Sequence, residues 1–365
     1  MKDKIASNQI NLQTAVFILL ILHIGSFGMF GPAQGFYAGV WVSWLVSLLG
    51  FVPVLFLWSY LVKKMPGMDL FAMLEHGFGR VLGRLCALCY IIFFLFLAAS
   101  TRFFYAAMTQ MLTLSFTPFV VILLLFFLLS AYLAKSGLQA MGKWCALLVA
   151  FAAVMMLLFF LLATPIMRLE NILPLMPNGG AGVLRGAARF FALTIGNAVI
   201  MLALLGNFEE KASPRKLFFF ATAIAILFFA FNFLRDTAIL GQGGVERSVY
   251  PSYKAAGLIR LGGTGTRIEV FVLLFDTMAG LTKVAFCIIA AARGFAHLFG
   301  QTEENAFVLS VAFLTVGLSA VLFPNLHTLF SVAPTYLRIA PVFQVLIPLL
   351  LGIALLLRRK GKQKG

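Results

Sequence analysis

The chain has 365 residues, of which 62% are hydrophobic and only 11% are charged. A soluble core of this size does not need so many apolar residues, so the composition excludes an ordinary soluble domain. The formal net charge of +16 is compatible with nucleic-acid binding. However, the basic tail at 358–365 directly follows an apolar run, where basic residues serve orientation and contact with anionic lipid. We therefore expect a lipid bilayer, and no nucleic acid, as a partner.

Apolar runs of about 18 residues or more indicate transmembrane helices, and they fill most of this chain. The sequence predicts an all-α polytopic membrane protein with one transmembrane domain over 1–365. Its first half is about 1–164, its second half about 185–358, and its basic cytoplasmic tail 358–365. The first apolar run has no small-residue cleavage site, so we expect a retained helix rather than a signal peptide. Ten spans are predicted, near 11–35, 38–61, 85–113, 117–134, 144–164, 190–208, 217–234, 268–292, 306–323 and 340–357.

An even number of spans places both termini on one side of the membrane. Lys and Arg number 17 in the segments on the terminal side and 9 in those on the other side. Cytoplasmic segments carry the excess of Lys and Arg. We therefore predict that both termini are cytoplasmic.

Span one contains the helix-breaking stretch HIGSFGMFGPAQG at 23–35. Unpaired backbone groups are tolerated in lipid only where they line a cavity or bind something, and transporters build sites at such breaks. We expect an unwound segment at Gly25–Gly28, with Gly25, Ser26 and Gly28 in contact with ligand. A second bend is expected at Gly31 and Pro32.

If the fold has two inverted halves of five spans, span six should be broken as well. It reads FFALTIGNAVIMLALLG, with Thr194, Gly196 and Asn197 near its middle. One Gly beside one Asn more often serves helix packing, but its occurrence together with the breaks in span one favours an interruption. These three residues and Thr282 of span eight complete the predicted ligand-binding set. The two halves show no clear sequence identity, so the repeat is inferred.

Ionisable residues inside a membrane are costly and usually face a cavity or a partner. Glu269, Asp276 and Lys283 are spaced by seven and therefore share one helix face. Asp276 and Lys283 are two turns apart, about 10 Å, so a water, a substrate or another helix must lie between them. Gly280 leaves room for close approach. With His23 and Arg102, these residues form the predicted charge or gating network, although a lone His is more often a packing residue.

Arg102 is always charged and needs carboxylate or carbonyl partners. Asp276 or Glu269 is the expected partner. The pair could be a structural link between spans three and eight, or Arg102 could act in gating or bind a substrate carboxylate. A third possibility is that its side chain extends outward to the interface.

Nothing in the sequence indicates an enzyme, a metal site or a cofactor. No P-loop, HExxH motif or nucleophile–His–Asp set is visible. The four cysteines, Cys86, Cys89, Cys145 and Cys287, all fall in apolar runs, which favours packing over metal or redox chemistry. The glycine-rich segment 240–267 is expected to form an outer lid with a short helix near 251–259. The amphipathic segment 68–82 is expected at the membrane interface.

A family resemblance rests on several stretches in order. They are KKMPGMDLFAMLEHGFGRVLGRLCALCYIIFFLFLAASTRFFYAAM with Arg102, SGL at 136–138, NILPLMPNGG at 171–180, YPSYKAAGLIRL at 250–261 and RIEVFVLL at 267–274. Together they resemble the B subunit of bacterial spore-germination receptors, the endospore germination permeases. No single stretch is diagnostic, but the set covers nearly the whole chain.

The resemblance implies the fold of amino acid–polyamine–organocation transporters, a LeuT-type 5+5 inverted repeat with spans one and six interrupted. It also implies a subunit that senses a small germinant, often an amino acid. The implied partners are a receptor A subunit and a C lipoprotein, in the spore inner membrane or the bacterial cell membrane. An ion-coupled amino acid permease is the alternative, because both would use the same pocket.

The chain also departs from the pattern that it resembles. Family members often carry an acidic residue shortly after the span-three arginine and another after the span-six glycine, where this chain has Ala106 and Ala198. Many have Trp where this chain has Asp276. We hypothesise that Asp276 supplies the partner charge for Arg102.

Overall fold

The computed structural model describes residues 10–27, 40–173, 179–209, 211–260, 267–301 and 303–362. These residues form a helical bundle in which short 3-10 turns join or interrupt the longer helices. In chain order the α-helices are α1 Leu12–Phe27, α2 Val40–Lys64, α3 Leu70–Phe78, α4 Arg80–Leu112, α5 Phe119–Lys135, α6 Leu138–Ala163, α7 Gly179–Leu193, α8 Ile200–Leu204, α9 Pro214–Glu246, α10 Pro251–Ala256, α11 Glu269–Phe299, α12 Asn305–Leu322, α13 Leu326–Pro341 and α14 Ile347–Lys362.

Within the described ranges, eight helical segments are long and apolar enough to cross a membrane, counting α7 with α8 and α13 with α14 as one segment each. Two shorter apolar helices, Leu12–Ser26 and Phe119–Lys135, lie where spans one and four are predicted. The protein is thus a polytopic helical membrane protein. The exact count of ten spans stays a prediction.

Helix α11 lies at the centre of the bundle and packs against α1, α4, α5 and α12. Its sequence is apolar on nearly every side, which is typical of a helix surrounded by protein. Gly280 is required for one of these contacts, because a Cβ there would lie 2.1 Å from the Tyr105 ring of α4. The expected close approach at Gly280 is therefore filled by an aromatic side chain.

The seventh span is longer than predicted. Helix α9 continues from Pro214 to Glu246, with one non-helical residue, Gly241, at φ 68°. The predicted end at 234 was wrong, because the adjacent charges of Arg235 and Asp236 resemble a loop. Both side chains are instead buried within the helix.

The amphipathic segment forms the short helix α3, which Asp69 caps by accepting a hydrogen bond from the Ala72 backbone N–H. Its apolar side is buried and packs against α4, which begins at Arg80. This packing explains the amphipathic pattern without requiring contact with lipid.

Arg293 of α11 connects neighbouring helices at the end of the bundle where α1 begins and α14 ends. Its Nη1 donates to the carbonyls of Ala203 and Leu204, at 3.0 and 3.1 Å. Its Nε and Nη2 donate to the Glu304 carboxylate. One guanidinium therefore ties the carboxyl end of α8 to both α11 and the start of α12.

Candidate functional site

Four predicted residues come together where α1, the break after α7, and α11 meet. His23 Nε2 lies 3.2 Å from Thr222 Oγ1 of α9. The backbone of Thr194 approaches the same imidazole, and Lys283 is near enough for its charge to act on it. Gly25 lies beside Lys283, since a Cβ at Gly25 would be 3.1 Å from the Lys283 Cβ.

Lys283 is fully buried, and its Nζ has no hydrogen-bond partner among the described residues. A buried ammonium without a partner is expensive inside a membrane and marks a functional position by default. Asp276 and Lys283 lie on one face of α11, but the Tyr105 ring packs against Gly280 between them. The Tyr105 side chain therefore fills part of the space between Asp276 and Lys283, where a water, a substrate or another helix was expected.

Gly25 and Ser26 are helical, which corrects the expectation that unwinding begins at Gly25. Helix α1 continues to Phe27, and the Ser26 hydroxyl donates to the Leu22 carbonyl at 2.6 Å. A Cβ at Gly25 would lie 2.5 Å from the Ala279 carbonyl oxygen, so this glycine allows α1 to contact the backbone of α11. Gly28, Gly31 and Pro32 lie outside the described residues.

Span six is interrupted where it was predicted to be. Helix α7 ends at Leu193, Thr194 has the non-helical angles φ −122° and ψ −70°, and a 3-10 turn follows over Ile195–Val199. Asn197 stabilises the break by donating to the Leu193 carbonyl at 2.7 Å. The sequence therefore located this discontinuity correctly.

The groups at this break are bonded to two residues of the last span that the sequence reasoning missed. Gln344 Nε2 donates to the Ala192 carbonyl at 2.8 Å, and the Tyr336 hydroxyl donates to Asn197 Oδ1 at 2.7 Å. Gly196 makes room for this arrangement, because a Cβ there would lie 2.2 Å from Gln344 Oε1. The sequence feature that could have identified Gln344 is its position as the single polar residue in the apolar run PVFQVLIP.

Thr282 lies on the side of α11 that faces α6. Its hydroxyl accepts a hydrogen bond from Trp144 Nε1 at 2.9 Å and donates to the Met278 carbonyl at 2.7 Å. Its hydrogen-bonding groups are thus engaged by protein in this structure.

The expected pairing of Arg102 with Asp276 or Glu269 was wrong. Arg102 is fully buried, and its Nη1 and Nη2 donate to Thr315 Oγ1 at 2.8 Å and Ser130 Oγ at 3.0 Å. These hydroxyls belong to α12 and α5, so Arg102 links α4 to these two helices. Glu269 instead pairs with Arg267, whose Nε lies 3.4 Å from Glu269 Oε1.

Asp276 lines a cavity of about 90 Å³ beside α1, α4, α6, α9, α10 and α11. Within the described chain its carboxylate makes no hydrogen bond or ion pair. The predicted lid contributes to this cavity, since the short helix α10 and the residues next to it form part of the wall. Its polar and aromatic lining includes Phe104, Tyr105, Phe228, Asn232, Arg235, Tyr250, Ser252, Phe275 and Asp276.

A buried ion pair beside this cavity, between Arg235 and Asp236, was not predicted from the sequence. Arg235 donates to Asp236 Oδ1 through Nε at 3.0 Å and Nη2 at 2.6 Å. Ser252 of α10 donates to the other oxygen of Asp236 at 2.5 Å. The pair is buried and therefore anchors the lid helix to α9.

Comparison with known proteins gives consistent results. The model of a family described as spore germination protein matches residues 9–326. Spore germination protein KB of Bacillus subtilis strain 168 is 21% identical over 366 residues, which cover 98% of this chain and 97% of that protein. Spore germination protein YndE of the same organism is 22% identical over 332 residues, with 88% and 89% covered.

Solved transporters share the fold. A Na⁺-coupled sialic acid symporter in its substrate-bound outward-open state matches with a TM-score of 0.63 and 12% identity, over 94% of this chain and 79% of that one. A manganese transporter of Eremococcus coleocola matches with a TM-score of 0.61 and 13% identity, over 92% and 77%. The helices therefore adopt the LeuT-type transporter arrangement, and the family match over most of the chain establishes that it belongs to the spore germination permeases.

Proposed function

We propose that this chain is the membrane subunit of a spore germinant receptor, which binds a small germinant in its transporter-like pocket and so triggers germination. The germinant proposed is an amino acid. The proposal is supported most directly by the cavity of about 90 Å³ that lies next to α1 and α11 in a member of the germination family. A concave, mostly apolar pocket with a few polar groups is the usual form of a small-molecule site.

The same proposal includes the assembly and its location. The subunit acts with a receptor A subunit and a C lipoprotein in the spore inner membrane, with both of its own termini in the cytoplasm. In this scheme the lid helix and the helix α3 offer surfaces that partner subunits could contact.

Two neighbouring alanines of α6 allow a matched test of the pocket. Ala152 lines the cavity, whereas Ala153 is exposed on the outer surface of the helix. Ala152→Leu should fill part of the cavity and abolish or strongly reduce the germination response of spores to an amino acid panel. Ala153→Leu adds the same side chain outside the cavity and should leave the response unchanged.

Both variants should be compared at equal protein level in spores that lack the original gene. Equal responses of the two variants would reject this cavity as the germinant site. Spores without the gene that respond normally to every nutrient would reject the receptor function.

An ion-coupled amino acid permease is distinguished by transport. Purified protein in proteoliposomes should bind radiolabelled amino acids without accumulating them against a gradient if it is a sensor. Concentrative uptake would instead establish the permease.

A further inference from the structure

The polar groups of the cavity differ in how far protein partners already occupy them. Several possible donors are engaged: the Tyr105 hydroxyl donates to the Gly25 carbonyl at 3.3 Å, and the Ser252 hydroxyl donates to Asp236. Asn232 Nδ2 donates one of its two N–H groups to the Phe228 carbonyl at 2.8 Å, which leaves its amide oxygen and its second N–H free within the described residues. The groups left to meet a ligand therefore include the acceptor oxygen of Asn232.

The positive charge at the cavity is also engaged. Arg235 is the only Lys or Arg in the described lining, and two of its nitrogens bind Asp236. Its side chain is 3% exposed. A ligand carboxylate would have to compete with this buried pair, and breaking such a pair is costly.

Asp276, unlike Arg235, is not bound by another side chain among the described residues. It lines the cavity but has no hydrogen-bond or ion-pair partner among the described residues. Its charged neighbours are Asp236 and Arg235 of α9, which largely neutralise each other, and Tyr105 of α4 faces it. An ionised carboxylate in such an apolar setting needs a proton or a cation.

The remaining walls suit a cation with an apolar body. Aromatic rings of Phe104, Tyr105, Phe228 and Phe275 line the cavity, and ring faces attract ammonium groups. The Tyr250 hydroxyl is buried without a partner among the described residues. Burial raises the pKa of Tyr250, so its hydroxyl stays neutral and can accept a hydrogen bond from an ammonium.

We propose that this cavity selects ligands that carry a primary ammonium group on a small apolar body, and that Asp276 binds the ammonium. The inference rests on the proposed function, because it names the chemical feature by which the same pocket recognises its germinant. It assigns no ligand contact to Arg235, which holds the lid helix through Asp236. The ligand carboxylate, where there is one, contributes little to recognition at this cavity.

The test uses matched probes on the purified full chain. Thermal stability is measured with L-amino acids, each compared with its decarboxylated amine and its deaminated acid; L-valine, isobutylamine and isovalerate form one such set. A ligand that binds only the folded protein raises its melting temperature. We expect the amine to stabilise the protein as its amino acid does, and the acid to give no shift.

Asp276→Asn is the matching variant, because it keeps the shape of the side chain and removes the charge. It should remove the shift given by amines, or weaken their binding at least about tenfold. Glu246→Gln removes an equal charge at the exposed end of α9, outside the cavity lining, and should leave the shift intact. Without ligand, Asp276→Asn should be as stable as the original chain or more stable, because no protein hydrogen bond is lost.

Stabilisation by the acids, stabilisation by amines that survives Asp276→Asn, or no stabilisation by any amine would each overturn the inference. If Asp276→Asn still binds amino acids and spores still respond to them, the receptor function stands and only the role of Asp276 fails. If no amino acid binds and spores lacking the gene respond normally, the receptor function fails as well.

Discussion

Gly25 illustrates how a single residue controls the approach of two central helices. Its missing side chain lets α1 contact the Ala279 carbonyl of α11, beside the buried ammonium of Lys283. The glycines of span one were expected to unwind the helix. This one instead acts through close packing of two helices, as small residues commonly do in membranes.

Gly25→Ala is therefore expected to destabilise the protein. The added methyl group would lie 2.5 Å from a backbone oxygen that cannot rotate away, and overpacking of this kind costs about 1–3 kcal/mol. The control is Gly317→Ala on α12, where a Cβ meets no atom of the described residues within 4 Å. Thermal unfolding in detergent should show a clearly lower melting temperature for the first variant alone; equal melting temperatures would contradict the packing role.

The polar residues inside the membrane could be found from the sequence, but their partners could not. His23, Arg102, Asp276 and Lys283 stand out because they interrupt apolar runs. Arg102 was matched with a carboxylate on the assumption that a buried charge needs an opposite charge. It is bound by Ser130 and Thr315, and common hydroxyl residues give no sign in a sequence of which helix they face.

Among the larger elements, the interruption after α7 has a different environment from the one expected. An exposed break would offer unpaired backbone groups to a ligand. Here the Ala192 carbonyl is already bound by Gln344, which lies in a π-helical turn over Val342–Leu346. Such turns often occur at functional positions, and this one connects the last span to the discontinuity in span six.

Gln344→Leu should weaken the interruption selectively. It removes one of the two side-chain hydrogen bonds to the Ala192 carbonyl and leaves the one from the Tyr336 hydroxyl. Loss of one such bond costs about 0.5–1.5 kcal/mol. We expect faster amide hydrogen exchange around Ile195–Val199, whereas exchange in α5 should not change and serves as the internal control. Unchanged exchange at the interruption would show that Gln344 does not hold it.

Helix existence was easier to predict than helix ends. The long apolar runs located the spans, because each must be long enough to cross the bilayer. The end of α9 was misplaced because two adjacent charges normally end a span. Arg235 and Asp236 neutralise each other within the helix, and only the three-dimensional structure reveals that Ser252 completes their bonding.

For the whole molecule, the predicted orientation in the membrane can be tested by labelling. Leu169, 73% exposed, belongs to a segment predicted outside, and Ser136, also exposed, to one predicted in the cytoplasm. With the four native cysteines replaced by alanine, Leu169→Cys should react with a membrane-impermeant maleimide in intact cells. Ser136→Cys should react only after permeabilisation, and the reverse pattern would place both termini outside.

The hydrogen bonds of the Arg293 guanidinium affect the equilibrium between conformations of the protein. Any state in which α8 separates from α11 must give up the two hydrogen bonds that Arg293 donates to the Ala203 and Leu204 carbonyls. Such a state is rare at rest, and a ligand can populate it only through higher affinity for it. Moving a ratio of 1:99 to 99:1 takes a preference of about 10⁴-fold, so a small germinant would have little effect on this end of the bundle unless a partner subunit also favoured its opening.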